Sequence, residues 1–284
     1  MAEELLAIAV DLARRAGALV AEGRARAGLD RARLDVQSKS TPTDVVTAMD
    51  RASERFLIGE LRRLRPGDAI LGEEGGPQAG STGVRWLVDP IDGTVNYLYG
   101  LPQYAVSVAA EAGGAVVAGA VHNPVSGETF LASAGGGAWL AAPGRPDRRL
   151  RVTGCTELAQ ALVSTGFGYA ARDRAAQAVV VAAVLPRVRD IRRFGSAALD
   201  LCFLAAGRVD AYYEHGLHAW DYAAGGLVAA EAGAELTGLH GRPPGEELFV
   251  AAAPGVAAAF FALLTGLIAR PDRQPAAGNR PPES

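Results

Sequence analysis

The stretch Trp86-Leu87-Val88-Asp89-Pro90-Ile91-Asp92-Gly93-Thr94-Val95-Asn96-Tyr97 decides how this chain is read. Val84 to Val88 is a short buried strand that runs straight into Asp89 and Asp92, two acids separated by a Pro-Ile turn. Gly93-Thr94 then opens a short helix, whose free amides and positive dipole end suit a phosphate. A second strand, Ala69 to Leu71, ends in the same manner with Gly72-Glu73-Glu74, and Asp221 sits at or near the N-cap of a helix reaching Ala232. Strand ends gather at one edge of a sheet, where α/β proteins place ligands. Glu73, Glu74, Asp89, Asp92 and Asp221 crowded there would repel one another, and protonation or a cation must relieve the repulsion. Oxygen donors with no His or Cys cluster favour magnesium, calcium or manganese over zinc. Four carboxylates and a phosphate dianion are roughly neutralised by two or three divalent ions, as in two-metal phosphoryl hydrolysis.

Outward from this centre, helices and strands alternate. Glu3 to Arg26 is an amphipathic helix, and a second helix is expected from Val45 to Leu64, stopped by Pro66-Gly67. From Tyr104 to Val152, Gly, Pro and Asn pairs punctuate short strands in the manner of an antiparallel meander. Strands are expected at Ala161 to Ser164, Ala211 to Glu214, Glu235 to Thr237 and Leu248 to Ala251. Helices are expected at Arg174 to Leu185, Ala197 to Ala206, Asp221 to Ala232 and Val256 to Ile268. The pattern is α/β, a layered sandwich of sheets and helices and not a bundle or barrel. Residues 1–269 form one domain with halves at about 1–152 and 153–269, and the Pro-rich segment 270–284 is expected to be disordered.

The 284 residues are 49% apolar and 21% charged, with net charge −3, so there is no basic footprint for nucleic acid. No apolar run reaches membrane-spanning length, and the charged first segment does not read as a signal peptide. Cys155 and Cys202 lie far apart without metal-like spacing, which points to a reducing cytoplasm. Of 28 basic residues only Lys39 is a lysine. It is either a chance survivor of drift towards arginine or a position that needs a compact ammonium.

Taken with Thr43-Asp44-Val45-Val46-Thr47-Ala48-Met49-Asp50, Gly72-Glu73-Glu74 and Trp220-Asp221-Tyr222-Ala223-Ala224-Gly225, the opening stretch makes the chain resemble the inositol monophosphatase family, as far as about Ile268. The resemblance implies an alternating αβαβα sandwich of the sugar-phosphatase type and a lithium-sensitive homodimer. It implies a first magnesium on Glu73, Asp89 and the Ile91 carbonyl, and a second on Asp89, Asp92 and Asp221. A third, weaker ion would sit on Glu73. Asp50 and Thr94, with Glu73, would orient and deprotonate the attacking water. Gly93 and Thr94 would cradle the phosphate of a small polyol or sugar phosphate, with Lys39 beside it. Gly195, Ser196, Ala197 and Glu214 would meet the ring. His218 and Trp220 are expected to pack and position, and no role falls to His122, His215 or His240.

Two other readings stay open. The same scaffold serves fructose-1,6-bisphosphatase, histidinol-phosphatase, NADP phosphatase and phosphoadenosine phosphatase activities, although Thr94-Val95-Asn96-Tyr97 looks like the inositol branch. A regulatory binding protein that kept the fold is the other, and the presence of every expected metal ligand speaks against it.

Overall fold

A computed structural model describes residues 1–28 and 30–268, with the side chain of residue 31 left aside. The Pro-rich segment expected to be disordered lies outside the described residues. Helix α1 (Ala2–Ala27) buries Leu5, Ala9, Leu12, Ala16 and Val20, a stripe at three- and four-residue intervals. Strands β1 (Gln37–Ser38) and β2 (Val45–Val46) form a small antiparallel hairpin. Helix α2 (Ala48–Leu64) therefore begins later than Val45, where the sequence placed it. The two β-branched valines pair as a strand, and Thr47 caps the helix with an extended backbone. Its hydroxyl accepts from Met49 N and Asp50 N, while Asp50 Oδ2 accepts from Thr47 N at 2.8 Å, a reciprocal capping box.

The large sheet contains β3 (Ala69–Gly72), β4 (Gly76–Gln78), β5 (Val84–Asp92), β6 (Ala105–Ala112), β7 (Ala115–His122), β8 (Thr129–Ser133), β9 (Gly137–Ala141) and β10 (Arg148–Arg149). Its order is β10-β9-β8-β7-β6-β5-β3-β4, an antiparallel meander except for the parallel pair β3–β5. Short helix α3 (Thr94–Tyr99) follows β5. The smaller sheet holds β11 (Leu162–Thr165), β12 (Asp190–Arg192), β13 (Ala211–Glu214), β14 (Glu235–Thr237) and β15 (Phe249–Ala252), in the order β12-β11-β13-β15-β14. Its helices are α4 (Ala171–Val184), α5 (Ala197–Ala205), α6 (Ala219–Glu231) and α7 (Pro254–Ile268).

Side-chain alternation explains the stacking. On β5 and β6, Trp86, Val88, Val106, Val108 and Ala110 face a core shared with α1 and α2. Leu87, Ala105 and Ala109 face the opposite core, shared with α5 and α6. Both faces are buried, so these strands read as near-continuous apolar runs. The far side of α5 and α6 packs on the smaller sheet through Leu201, Tyr212 and Phe249, whose other face is closed by residues of α4 and α7. The result is the expected αβαβα sandwich. Besides β1 and β2, two strands escaped the sequence, β4 and β12, each of three residues and rich in turn or charged types. Helix α6 begins at Ala219, so Asp221 is its third residue and not its N-cap.

Candidate active site

The parallel pair sets the centre of the site. Gly72 lies opposite Val88, so Glu73, just past the end of β3, stands beside Asp89 on β5. The β5–β6 register is broken between Asp89 and Asp92, where Pro90 supplies no N–H to the ladder. Asp89 Oδ1 is held by Ile91 N at 3.0 Å. Asp92 Oδ2 reaches the second half of the chain, where Ser196 Oγ, at 2.5 Å, and Ala198 N, at 2.7 Å, donate to it. Ser196 is the N-cap of α5, so the same side chain starts that helix and fixes Asp92. Asp221 Oδ2 accepts from His218 N at 2.7 Å, and the His218 ring lies 4.8 Å from that of Trp220. The His218 backbone thus holds Asp221, while the two rings pack on each other.

Burial is the first cause that lifts the carboxyl pKa values here, and the neighbouring charges are the next. Asp89 is pushed well above the usual range by burial, then by Glu73, Asp92, Asp221 and Asp50. Burial carries Glu73 to about 7 and Asp92 to about 6, and raises Asp221 well above its ordinary value, with the Asp92 charge adding to it. Five acids from β3, β5, α2 and α6 thus face one another with too little positive charge among them.

Lys39 stands at this cluster, its ammonium bonded to Glu73 Oε1 at 2.7 Å and to Glu74 Oε1. Burial works against the charge on Lys39, but the two glutamates outweigh it and raise its pKa. Its partners are two glutamates of the acidic cluster. As the side chains stand, among the described residues no three Asp, Glu, His or Cys groups are arranged to hold a metal ion. The chemistry of the donor set still fits a hard divalent cation. It consists of buried carboxylate and carbonyl oxygens, and each charge makes the next harder to ionise without added positive charge.

Beside the acids runs a buried relay. Thr94 Oγ1 lies 3.0 Å from Asp50 Oδ1 and 3.1 Å from the Ile91 carbonyl, and Asp50 Oδ2 also accepts from Thr47 Oγ1 at 2.6 Å. Gly93 has φ 95°, which favours glycine, and a Cβ there would lie 3.0 Å from Gly195 O. The two glycines let α3 and the Gly195-Ser196-Ala197 segment approach each other. Glu214, at the end of β13, accepts from Tyr212 OH at 2.7 Å, and burial lifts it to about 7. A Cβ on Gly166 would overlap its carboxylate, so the loop after β11 closes directly over Glu214.

Two further residues shape the site without a signal in the sequence. Glu54, on α2 and only 3% exposed, accepts from Glu74 N and Gly75 N at 3.2 and 3.0 Å and so holds the Glu73 turn. Asn96 Nδ2 donates to Gln103 O and Phe194 O, at 2.6 and 2.7 Å, tying α3 to the residues before Gly195. A helical Glu and an Asn give no hint of such partners, because both bonds are long-range.

Comparison with known proteins agrees with this geometry. The family model described as the inositol monophosphatase family matches residues 1–273. An inositol-1-monophosphatase SuhB from Mycobacterium tuberculosis is 51% identical over 270 residues, covering 92% of this chain and 93% of that protein. A Pasteurella multocida protein named Nus factor SuhB is 40% identical, covering 84% of this chain and 86% of its own. Among solved structures, Mycobacterium tuberculosis SuhB has TM-score 0.80 and 46% identity, covering 93% of this chain and 97% of its own. Thermotoga maritima IMPase has TM-score 0.81 and 30% identity, covering 95% and 99%. Among the described residues no helix is long and apolar enough to cross a membrane. The sandwich, the acids at the β3–β5 edge and these matches together establish that the chain belongs to the inositol monophosphatase family and is a phosphoric monoester hydrolase.

Proposed function

We propose that the chain hydrolyses a small polyol phosphate monoester with magnesium, myo-inositol 1-phosphate being the substrate of choice. The observation that carries this is the cluster of buried acids at the β3–β5 edge with the Asp50–Thr94 bond beside it. We assign Glu73, Asp89 and the Ile91 carbonyl to one magnesium, Asp89, Asp92 and Asp221 to a second, and Glu73 to a weaker third. Bound there, magnesium supplies the positive charge that acidifies water and stabilises a departing alkoxide. Thr94 donates its proton towards Asp50 and Ile91 O, which leaves its oxygen to accept from the attacking water. Glu73, beside the Asp50–Thr94 pair, is the group assigned to take the proton as the water oxygen bonds phosphorus and the ester P–O bond breaks. Gly93 and Thr94 amides receive the phosphate, Lys39 adds positive charge, and Gly195, Ser196, Ala197 and Glu214 meet the ring.

Phosphate release from inositol 1-phosphate, fructose 1,6-bisphosphate, histidinol phosphate, NADP and phosphoadenosine phosphate, with and without magnesium, tests this beside Asp92→Asn. Magnesium-dependent release led by inositol 1-phosphate and lost in the variant is expected; another leading substrate moves the chain to a sister activity. Inhibition by millimolar lithium and a homodimer in size-exclusion chromatography with light scattering belong to the same proposal, as does a cytoplasmic location. The relative named Nus factor SuhB favours a second reading, a regulatory binding role. Failure to release phosphate from any ester at saturating magnesium would put that role first.

A further inference from the structure

The loop after β11 is held from three sides, and one of its fasteners comes from the other half of the chain. A Cβ on Gly166 would lie 2.0 Å from both Glu214 carboxylate oxygens, so the loop starts against that acid. Two residues on, Gly168 N donates to Gln177 Oε1 of α4 at 3.0 Å. Arg174 Nη1, also on α4, donates to the Gly168 and Tyr169 carbonyls at 3.3 and 2.6 Å. The Tyr169 carbonyl accepts a second bond from Thr43 Oγ1 at 2.8 Å, across 126 residues of sequence. Thr43 belongs to the turn between β1 and β2 in the first half, and the same turn carries Lys39. Lys39 N donates to Asp44 O at 2.8 Å, and the Lys39 ammonium is bonded to Glu73 and Glu74. A chain of contacts thus runs from Glu73 through Lys39 and Thr43 to Tyr169, and back along the loop to Glu214. Apolar burial adds little to it. Gly166 and Gly168 have no side chains and Tyr169 is 43% exposed, so the hydrogen bonds decide where the loop lies.

We propose that the Gly166–Tyr169 loop is the wall that limits the size of the alcohol group, and that Thr43 is the positioning residue that keeps it shut. The proposal rests on the reading in which Lys39 stands by the phosphate and Glu214 meets the ring. Lys39 then marks the phosphate end of the substrate and Glu214 the ring end, and the loop joins the two along one side. A single polyol ring stays inside that wall, whereas a nucleoside, a sugar with a base attached, needs the Thr43–Tyr169 bond to open. Removing one such bond shifts an open–closed equilibrium by roughly two- to tenfold, the worth of a typical hydrogen bond. Thr43 Oγ1 has one further neighbour, Thr41 Oγ1 at 3.1 Å inside its own turn. Loosening the turn alone would displace Lys39 and slow every ester alike. An open wall changes the ratio between small and large esters.

The experiment measures kcat/KM for inositol 1-phosphate and for phosphoadenosine phosphate in wild type, Thr43→Val, Thr43→Ser and Arg174→Met. Thr43→Val keeps the branched shape without the donor, and Arg174→Met frees the same carbonyl from the α4 side without touching the turn. Wild type is expected to favour inositol 1-phosphate. Thr43→Val and Arg174→Met are each expected to shift the ratio about fivefold towards phosphoadenosine phosphate. Thr43→Ser, which restores the hydroxyl, is expected to stay within about twofold of wild type. Hydrogen exchange read by mass spectrometry on the metal-free protein adds a readout without turnover. The peptide holding residues 166–170 is expected to exchange about fivefold faster in Thr43→Val than in wild type. A ratio unchanged in Thr43→Val, or equal losses on both esters, overturns the proposal while the reading of the site stands. Unchanged exchange at 166–170 overturns it too, because the bond then does not hold the loop. A wild type that prefers phosphoadenosine phosphate, or that hydrolyses neither ester, removes the reading of the site and the proposal with it. Should Thr43→Val fail to fold, the ratio and the exchange in Arg174→Met decide.

Discussion

Thr94 carries one hydroxyl that serves two acceptors, Asp50 Oδ1 and Ile91 O, and no apolar residue can replace it. Thr94→Val keeps the shape and removes the hydroxyl. It is expected to lower kcat by roughly 10²-fold, in line with the contribution of a positioned proton-handling group, with KM little changed. Steady-state kinetics on inositol 1-phosphate checks it, and a kcat within threefold of wild type would remove Thr94 from the chemistry. Lys39 is the second test at this scale. Its ammonium fits between Glu73 and Glu74, whereas a guanidinium is wide and planar. Lys39→Arg is expected to lower kcat/KM about tenfold, reflecting a misplaced charge. Unchanged efficiency would return Lys39 to the status of a chance survivor.

At the scale of elements, α6 comes close enough to its neighbours to leave no room for side chains. A Cβ on Gly225 would lie 2.9 Å from Ala198 O and 3.0 Å from Leu201 Cβ, at the junction of the helix bearing Asp221 with the helix whose start holds Asp92. Gly225→Ala is expected to cost about 1–3 kcal/mol through overpacking, read as a lower urea midpoint. It should weaken magnesium binding in isothermal titration as well, because α5 and α6 must separate. The sequence placed a helix from Asp221 to Ala232, and the structure has it from Ala219 to Glu231. Start points shifted where a tertiary partner intervened: Val45 and Val46 could have extended the helix, but Gln37 and Ser38 drew them into a hairpin.

At the scale of the whole molecule, the buried acids couple stability to pH and to cations. Glu73 and Glu214 stand near 7 against an ordinary 4.5, and Asp92 near 6 against 3.8, burial being the first cause for each. A raised carboxyl pKa is stability present below the ordinary value and lost as pH climbs through the folded one, because the folded state binds more protons in that window. The metal-free protein is therefore expected to melt at lower temperature as pH rises from 5 to 7.5, by roughly 3 °C for each pKa unit involved. Saturating magnesium should reverse most of that fall. Calorimetric scans with chelator and with magnesium give the answer, and a metal-free midpoint that rises over this range would contradict the arrangement of acids.

The sequence by itself determined the layered α/β class and the strands that run into acids. These are local matters: apolar periodicity, β-branched runs, Gly and Pro punctuation, and a Pro-Ile pair that breaks the ladder between two aspartates. The tertiary structure decided which distant residues serve those groups. Ser196 holding Asp92, Glu54 holding the Glu73 turn and Asn96 joining two halves all join segments 20 to 104 residues apart. Such partners are chosen by the stacking of two sheets across α5 and α6, and a side chain's local neighbours carry no mark of what the opposite layer brings to it.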